Sequence, residues 1–342
     1  MKRKVLIATS DRGVVISEEP LPKCRETEVL IKTKFTMVSP GTERHYIEMI
    51  QNHHGADLAL GYCAVGEVVA VGADISEFLI GDAVIAMGWK MAVHSDYIVM
   101  PRRLVCRYRD QPAHHALLAT IGATAAHSID RARLHKSDQI LVVGVGLLGS
   151  MIALGASRVG CSVWAHDVNS EQLNHLVWGN PINRPDFLDA VDRKFHCIFL
   201  CFDATDGINL DKWARLLDMN GGERSRSRVV NAGRCHGTVS LIPDSGNVDF
   251  INVSRCGSGY RNDAYHHGLI EISAPSYEST VTENLRRSLE WLSVEGHNVS
   301  RLPYRVITQS EALKFYNSPD FFEPGINLIS YSQDINSNGN RS

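Results

Sequence analysis

The stretch that decides the fold is Gln139-Ile140-Leu141-Val142-Val143-Gly144-Val145-Gly146-Leu147-Leu148-Gly149-Ser150. Its first five residues read as a buried strand and the apolar run continuing to Val159 as a helix, so the glycines punctuate a strand-to-helix turn. In a G-x-G-x-x-G of this kind the first glycine makes the tight turn, the second lets the backbone approach a pyrophosphate, and the third packs helix on strand. The phosphates then lie at the helix N-terminus. Gly144, Gly146, Leu147, Leu148 and Gly149 are therefore candidate cofactor-binding residues. A second strand, Ser162–His166, ends on Asp167, 18 residues after Gly149. A carboxylate there binds the adenosine ribose diol and repels a 2′-phosphate, which favours NAD over NADP. Neither His166 nor Asn169 beside it supplies a cation that would reverse this preference.

Beyond this unit strands and helices alternate, with strands at 139–143, 162–166, 196–200, 228–231 and 250–254 and helices at 147–159, 170–177 and 209–219. Alternation of this kind means βαβ units on a parallel sheet. Ligands bind at the carboxyl ends of such strands, so Asn231 and Arg255, at the ends of two of them, join the candidate cofactor contacts. Residues 1–110 instead carry short β-like runs at 4–8, 28–36, 65–72, 82–87 and 95–100, separated by glycines and prolines. Past residue 265 come a helix at 280–294, a strand at 304–307, a helix at 310–317 and a strand at 325–331. The reading is an α/β chain in four parts. Residues 1–115 form a β-rich domain and 116–265 a doubly wound parallel-sheet domain; 266–333 return to the first domain, and 334–342 are a disordered polar tail.

A length of 342 residues leaves room for two domains. With 35 basic and 38 acidic side chains the net charge is −3, which implies no nucleic-acid or acidic-lipid partner. No segment reaches the ~18 consecutive apolar residues of a membrane span. Lys2-Arg3-Lys4 opens onto a run too short for a secretory signal, so a cytoplasmic location is expected. The eight cysteines form no C-x-x-C pair and are expected to be reduced and mostly buried. The pairs His114-His115 and His266-His267 and the run Arg224-Ser225-Arg226-Ser227-Arg228 are expected on solvated surface.

Further segments carry a family likeness: Val65-Gly66-Glu67-Val68-Val69-Ala70-Val71-Gly72, Gly81-Asp82-Ala83-Val84, Ser95-Asp96-Tyr97-Ile98-Val99-Met100-Pro101 and Ala123-Thr124-Ala125-Ala126-His127. With the domain order, they resemble the medium-chain dehydrogenase/reductase (zinc-type alcohol dehydrogenase-like) family over nearly the whole chain. The resemblance implies a GroES-like catalytic domain beside a Rossmann domain, an active site in the cleft between them and, by analogy, a homodimer. Where zinc-using relatives have Cys-Gly-Ser/Thr-Asp and Gly-His-Glu, this chain has Pro40-Gly41-Thr42-Glu43 and Gly61-Tyr62-Cys63. The stretch around Thr120, where the third ligand belongs, has no carboxylate or thiol. A catalytic zinc takes about three protein ligands, and Cys63 alone does not hold one. The structural-zinc lobe with its four cysteines has no counterpart either, so no zinc is expected. His45, His53, His54 and Cys63 are the donors left for any other metal, without ligand spacing. Val38–Glu43 together with Gly61–Gly66 are similar to a smaller branch that includes bacteriochlorophyllide dehydrogenases, which oxidise a hydroxyethyl group to an acetyl group.

The resemblance puts Thr42 and His45 where zinc-using relatives keep a hydroxyl and a histidine that relay the alcohol proton. His45 is the leading candidate base, because histidine is suited to proton transfer near neutrality. Tyr62, in place of a ligand histidine, is a candidate donor to the substrate oxygen. Glu43 is a second base candidate ranked below His45, and Cys63 reads as an inert small hydrophobe. The function expected is a zinc-independent, NAD(H)-dependent oxidoreductase that interconverts a secondary alcohol and a ketone on a polar or cyclic small molecule: a sugar, a cyclitol or a natural-product intermediate. An NAD(P)H-dependent enoyl or quinone reductase and a catalytically idle nucleotide-binding protein remain open beside it.

Overall fold

The computed structural model describes residues 1–53, 55–184, 186–190, 193–218, 227–240, 247–318 and 325–331. Two compact units divide the chain: Met1–Thr120, Asn262–Glu271 and Tyr304–Ser342 in one, Ile121–Arg261 and Ile272–Pro303 in the other.

The first unit begins with the hairpin β1 (Lys2–Thr9) and β2 (Gly13–Pro20), then β3 (Glu28–Met37) and helix α1 (Pro40–His53). There follow β4 (Leu58–Ala59), β5 (Cys63–Val71), β6 (Ala83–Met87), β7 (Tyr97–Pro101), β8 (Val105–Arg107) and α2 (Ala113–Leu117). The reading of this region as strands and irregular loops missed α1. Pro40 opens that helix at the position where its absent N–H costs no hydrogen bond, and the Glu43 side chain accepts the Ser39 N–H at 2.9 Å just ahead of it.

The second unit starts with α3 (Ala119–Ala132), which straddles the boundary, and then alternates. In order come β9 (Gln139–Val143), α4 (Leu147–Val159), β10 (Ser162–His166), α5 (Ser170–Asn174), β11 (Asn180–Pro181), α6 (Phe187–Ala190) and β12 (Cys197–Leu200). Next are β13 (Asp203–Asn209), α7 (Asp211–Ala214), β14 (Ser227–Asn231), β15 (Arg234–Thr238) and β16 (Val248–Asn252). The chain then runs through α8 (Asp263–His266) of the first unit, α9 (Val281–Val294) and α10 (Gly296–Val299) of the second, and β17 (Tyr304–Thr308), α11 (Gln309–Tyr316) and β18 (Ile326–Ser330) of the first.

In the first unit β17-β18-β3-β5-β6-β8 form one sheet, with β7 also on β3, and β2-β1-β4 form a second. Leu6, Val38, Ile50, Leu60, Phe315 and Ile329 share one core, so α1 and the last helix and strand close over β1. In the second unit β11-β10-β9-β12-β14-β16 are hydrogen-bonded in that order, every pair parallel. This is the doubly wound strand order whose switch point lies between the first and fourth strands, here β9 and β12. The fold is thus α/β, a GroES-like β-rich unit and a Rossmann unit.

Other details differ from the sequence reading. Residues 272–303, expected to return to the first domain, lie in the second unit. Gly155 of α4 leaves room for Trp291 of α9, whose ring an added Cβ would meet at 2.6 Å, and a capping box of Thr280 and Glu283 starts that helix. The helix expected at 209–219 covers Asp211–Ala214, because residues 203–209 pair with β15 and Leu210 N–H continues that pairing to Thr238 O. The helix expected at 170–177 ends at Asn174. The tail at 334–342, Arg224, Arg226 and His54 lie outside the described residues.

Arg228, His115 and His266 are buried rather than on solvated surface. Arg228 belongs to β14, and its guanidinium donates to Asp138 Oδ2 at 2.8 Å and to the carbonyls of Ala132 and Arg133 at 2.9 Å. Charge enters an interior only when paired in this way. His115 stacks on Tyr304, with ring centroids 5.8 Å apart, and burial, with His114 beside it, pushes its pKa down to about 4. An unfolded histidine titrates near ~6.5, so this group supports the fold fully above that pH and withdraws support as pH falls toward about 4. Urea midpoints should drop across that window, with a shallower drop in His115→Phe. An equally steep drop in the variant would exclude His115 as the source. No helix among the described residues is long and apolar enough to cross a membrane.

Candidate active site

Two groups of residues, one in each unit, hold the candidates for the chemistry. In the Rossmann unit β9 ends on Gly144, whose φ of +87° is left-handed and whose missing Cβ would lie 2.8 Å from Cys201 O, beyond the end of β12. A Cβ at Gly149 would overlap the Gly144 carbonyl oxygen, which is why α4 packs this closely on the turn. At Gly146, the residue preceding α4, a Cβ would meet nothing within 4 Å. Space therefore lies open above the first turn of a 13-residue helix, where the N–H groups of Leu147 and Leu148 have no intrahelical acceptor. A pyrophosphate fits such a cradle.

Asp167 ends β10 half-buried, and its carboxylate accepts Val145 N–H at 2.8 Å and Asn169 N–H at 2.9 Å. A carboxylate has about four acceptor sites, so capacity for a ribose diol remains after these two bonds. His166 turns away from solvent. Its Nδ1 is 2.9 Å from Ile182 O, and its ring stacks on Phe187. Val168, next to Asp167, is 98% exposed. At the other strand ends, Asn231 donates to Asn252 Oδ1 at 3.0 Å, and exposed Arg255 takes a φ of +77°.

In the GroES-like unit the candidates gather at the start of α1. Tyr62 precedes β5, and its hydroxyl donates to Ser39 Oγ at 2.9 Å while touching the Thr42 hydroxyl. Burial, with the Cys63 thiol and the Glu43 carboxylate nearby, drives its pKa far above the ordinary phenol value, so the side chain stays a neutral donor. Thr42 and His45 are three residues apart on one helix, hence on one face. Thr42 is half-buried and His45 exposed. The His45 ring meets Tyr46 edge-on at 5.2 Å, and Tyr46 lies 4.4 Å from Trp89.

Glu43 faces inward, at 1% exposure. It accepts Ser39 N–H at 2.9 Å and the Tyr316 hydroxyl at 2.6 Å, and lies 3.2 Å from His94 Nε2. Its burial and these three partners count against the second-base reading. His94 is the residue that sequence reasoning missed. Cys63 is buried, its thiol against the Thr120 hydroxyl, and burial raises its pKa far out of the reactive range.

The donor set at the zinc slots is thus a proline, a protonated phenol and a buried thiol beside a threonine, which does not fit a catalytic zinc. Among the described residues no three of His, Cys, Asp and Glu come together as metal ligands.

Residues 25–138 match the alcohol dehydrogenase GroES-like domain. The chain is 24% identical over 306 residues to an NADP-dependent isopropanol dehydrogenase of Entamoeba histolytica, covering 74% of this chain and 76% of that protein. It is 24% identical over 264 residues to L-galactonate-5-dehydrogenase of Escherichia coli, covering 70% and 75% respectively. Among solved structures, an Escherichia coli oxidoreductase/dehydrogenase of unknown specificity superposes with a TM-score of 0.75 at 17% identity, over 96% of this chain and 99% of that one. The matched domain covers the part of the chain that holds Thr42, His45 and Tyr62.

Proposed function

We propose that this chain is a medium-chain dehydrogenase/reductase, a zinc-independent, NAD(H)-dependent enzyme that interconverts a secondary alcohol and a ketone on a polar or cyclic small molecule. The observation that carries the reading is the meeting of the Tyr62, Thr42 and Ser39 hydroxyls at the zinc slots, with His45 on the next turn of the same helix. L-galactonate, in the name of one relative, is a polyhydroxylated acid, and isopropanol, in that of another, a simple secondary alcohol. A hydroxyl-lined site suits the first kind of substrate.

The glycine loop would hold the pyrophosphate of the dinucleotide and Asp167 its adenosine ribose, and the bound nicotinamide would accept or give the hydride. The residues of the chain handle the oxygen and the proton. Substrate oxygen competes with Ser39 for the Tyr62 hydroxyl, which stays protonated and so stabilises developing negative charge. Thr42 passes the alcohol proton toward His45, whose imidazole accepts it and releases it to solvent; in the reducing direction the same path delivers a proton.

Asp167 supports a preference for NAD, although one relative is named for NADP. Assays with both cofactors over secondary alcohols, sugar acids and cyclitols should give NAD-dependent turnover that survives chelators, from protein without stoichiometric zinc. Zinc near one per chain, with activity lost to a chelator, would overturn zinc independence. NADPH-driven reduction of enones would favour an enoyl reductase, and dinucleotide binding without any turnover an idle protein.

A further inference from the structure

We propose that His94 and Glu43 are positioning residues for this reaction, a buried imidazole–carboxylate pair that fixes both ends of Tyr62. The inference rests on the role given to Tyr62 above.

His94 is fully buried and holds the segment that leads into Tyr62. Its backbone N–H donates to Leu60 O at 2.8 Å, and Leu6 N–H donates to His94 O at 3.0 Å. Gly61, at φ +91°, lies so close that an added Cβ would sit 2.9 Å from the imidazole Cγ. The backbone from which Tyr62 starts is therefore pressed onto this ring. The hydroxyl end refers back to the same residue. Tyr62 donates to Ser39 Oγ, Ser39 N–H donates to Glu43 Oε1, and that same carboxylate oxygen lies 3.2 Å from His94 Nε2. The other ring nitrogen, Nδ1, is 2.7 Å from Thr36 Oγ1 of β3, which sets the orientation of the ring. Tyr316 completes the carboxylate from α11.

A network of this kind is rigid when complete and costly when one member is lost, because the remaining buried groups keep their desolvation penalty without a partner. Packing alone would be served as well by apolar side chains. What the polar pair adds is direction, since it determines where the Ser39 and Tyr62 hydroxyls stand relative to one another.

The test is a double-mutant cycle on the full chain, read as kcat and KM for the alcohol and as NADH affinity. Tyr62→Phe should lower kcat about 100-fold, the scale of losing one preorganised donor. His94→Phe should lower kcat about 10- to 100-fold with NADH affinity unchanged, yet cost less than about threefold in the Tyr62→Phe background, because residues acting as one unit are not additive. His94→Gln, which keeps a side-chain N–H, should recover part of the loss. Should His94→Phe fail to fold, Tyr316→Phe removes only one donor to Glu43 and carries the same expectation of non-additivity. A full multiplicative cost in the Tyr62→Phe background, or wild-type kcat in His94→Phe, overturns the positioning role. An unchanged kcat in Tyr62→Phe overturns instead the functional reading on which it rests.

Discussion

Alanine at position 146 is expected to weaken dinucleotide binding at least about 100-fold, roughly 2.7 kcal/mol, while leaving the thermal midpoint where it is. The backbone at Gly146 is at φ −59°, which any residue adopts, and a Cβ there meets no protein atom within 4 Å. The fold therefore has no reason to resist the substitution. The methyl group projects instead into the space above α4 that a pyrophosphate must enter, and the backbone N–H groups can no longer approach the phosphate oxygens. Gly149→Ala is the contrasting case. Its methyl overlaps the Gly144 carbonyl, so helix and turn must separate, with the loss of about 1–3 kcal/mol of stability typical of overpacking and loss of binding together. Calorimetric titration with NADH and thermal melts on the two proteins separate these effects. Wild-type NADH affinity in Gly146→Ala would remove the glycine loop from the cofactor site.

His45→Ala is expected to lower kcat for alcohol oxidation about 100- to 10,000-fold, the range for a positioned general base, with NADH affinity unchanged because the dinucleotide residues lie on other elements. The direction of the pH effect follows from the chemistry. A protonated imidazole cannot accept the alcohol proton, so wild-type oxidation should decline toward acid pH and the variant should lack that limb. Exposure of His45 on α1 gives the accepted proton an exit to water. An acid limb that persists in the variant would assign the base elsewhere.

The cofactor half of the molecule was legible in the sequence because its determinants are local. Strand, glycines and helix follow one another from Gln139 to Val159, and Asp167 closes the next strand. The sheet order adds only the position of the switch point. The proposed proton-handling residues were legible in part. Thr42, His45 and Tyr62 stood out against a family pattern, whereas His94 did not, because its partners Glu43 and Thr36 are 51 and 58 residues away and Tyr316 meets Glu43 across 273. No spacing rule connects such positions. Glu43 meets the same limit, since an acidic residue on a helix gives no sign of whether it faces solvent or a tyrosine from the far end of the chain. Helix α1 was hidden by Pro40-Gly41, a pair that reads as a turn unless proline is recognised as the opening residue of a helix.

One outer strand of the Rossmann sheet, β11, is poorly suited to strand addition. β11 is only Asn180–Pro181, and Ile182 N–H, just past it, donates inward to Ala165 O at 2.7 Å. Since successive N–H groups along a strand point to opposite sides, the one that would point outward here is that of residue 181, and proline has none. A sheet edge of exposed donors and acceptors invites a foreign strand to add on and seed a growing aggregate. By ending the sheet on a two-residue strand whose outward donor is deleted, the chain offers an incoming strand no N–H at residue 181 and so a poorer template for strand addition.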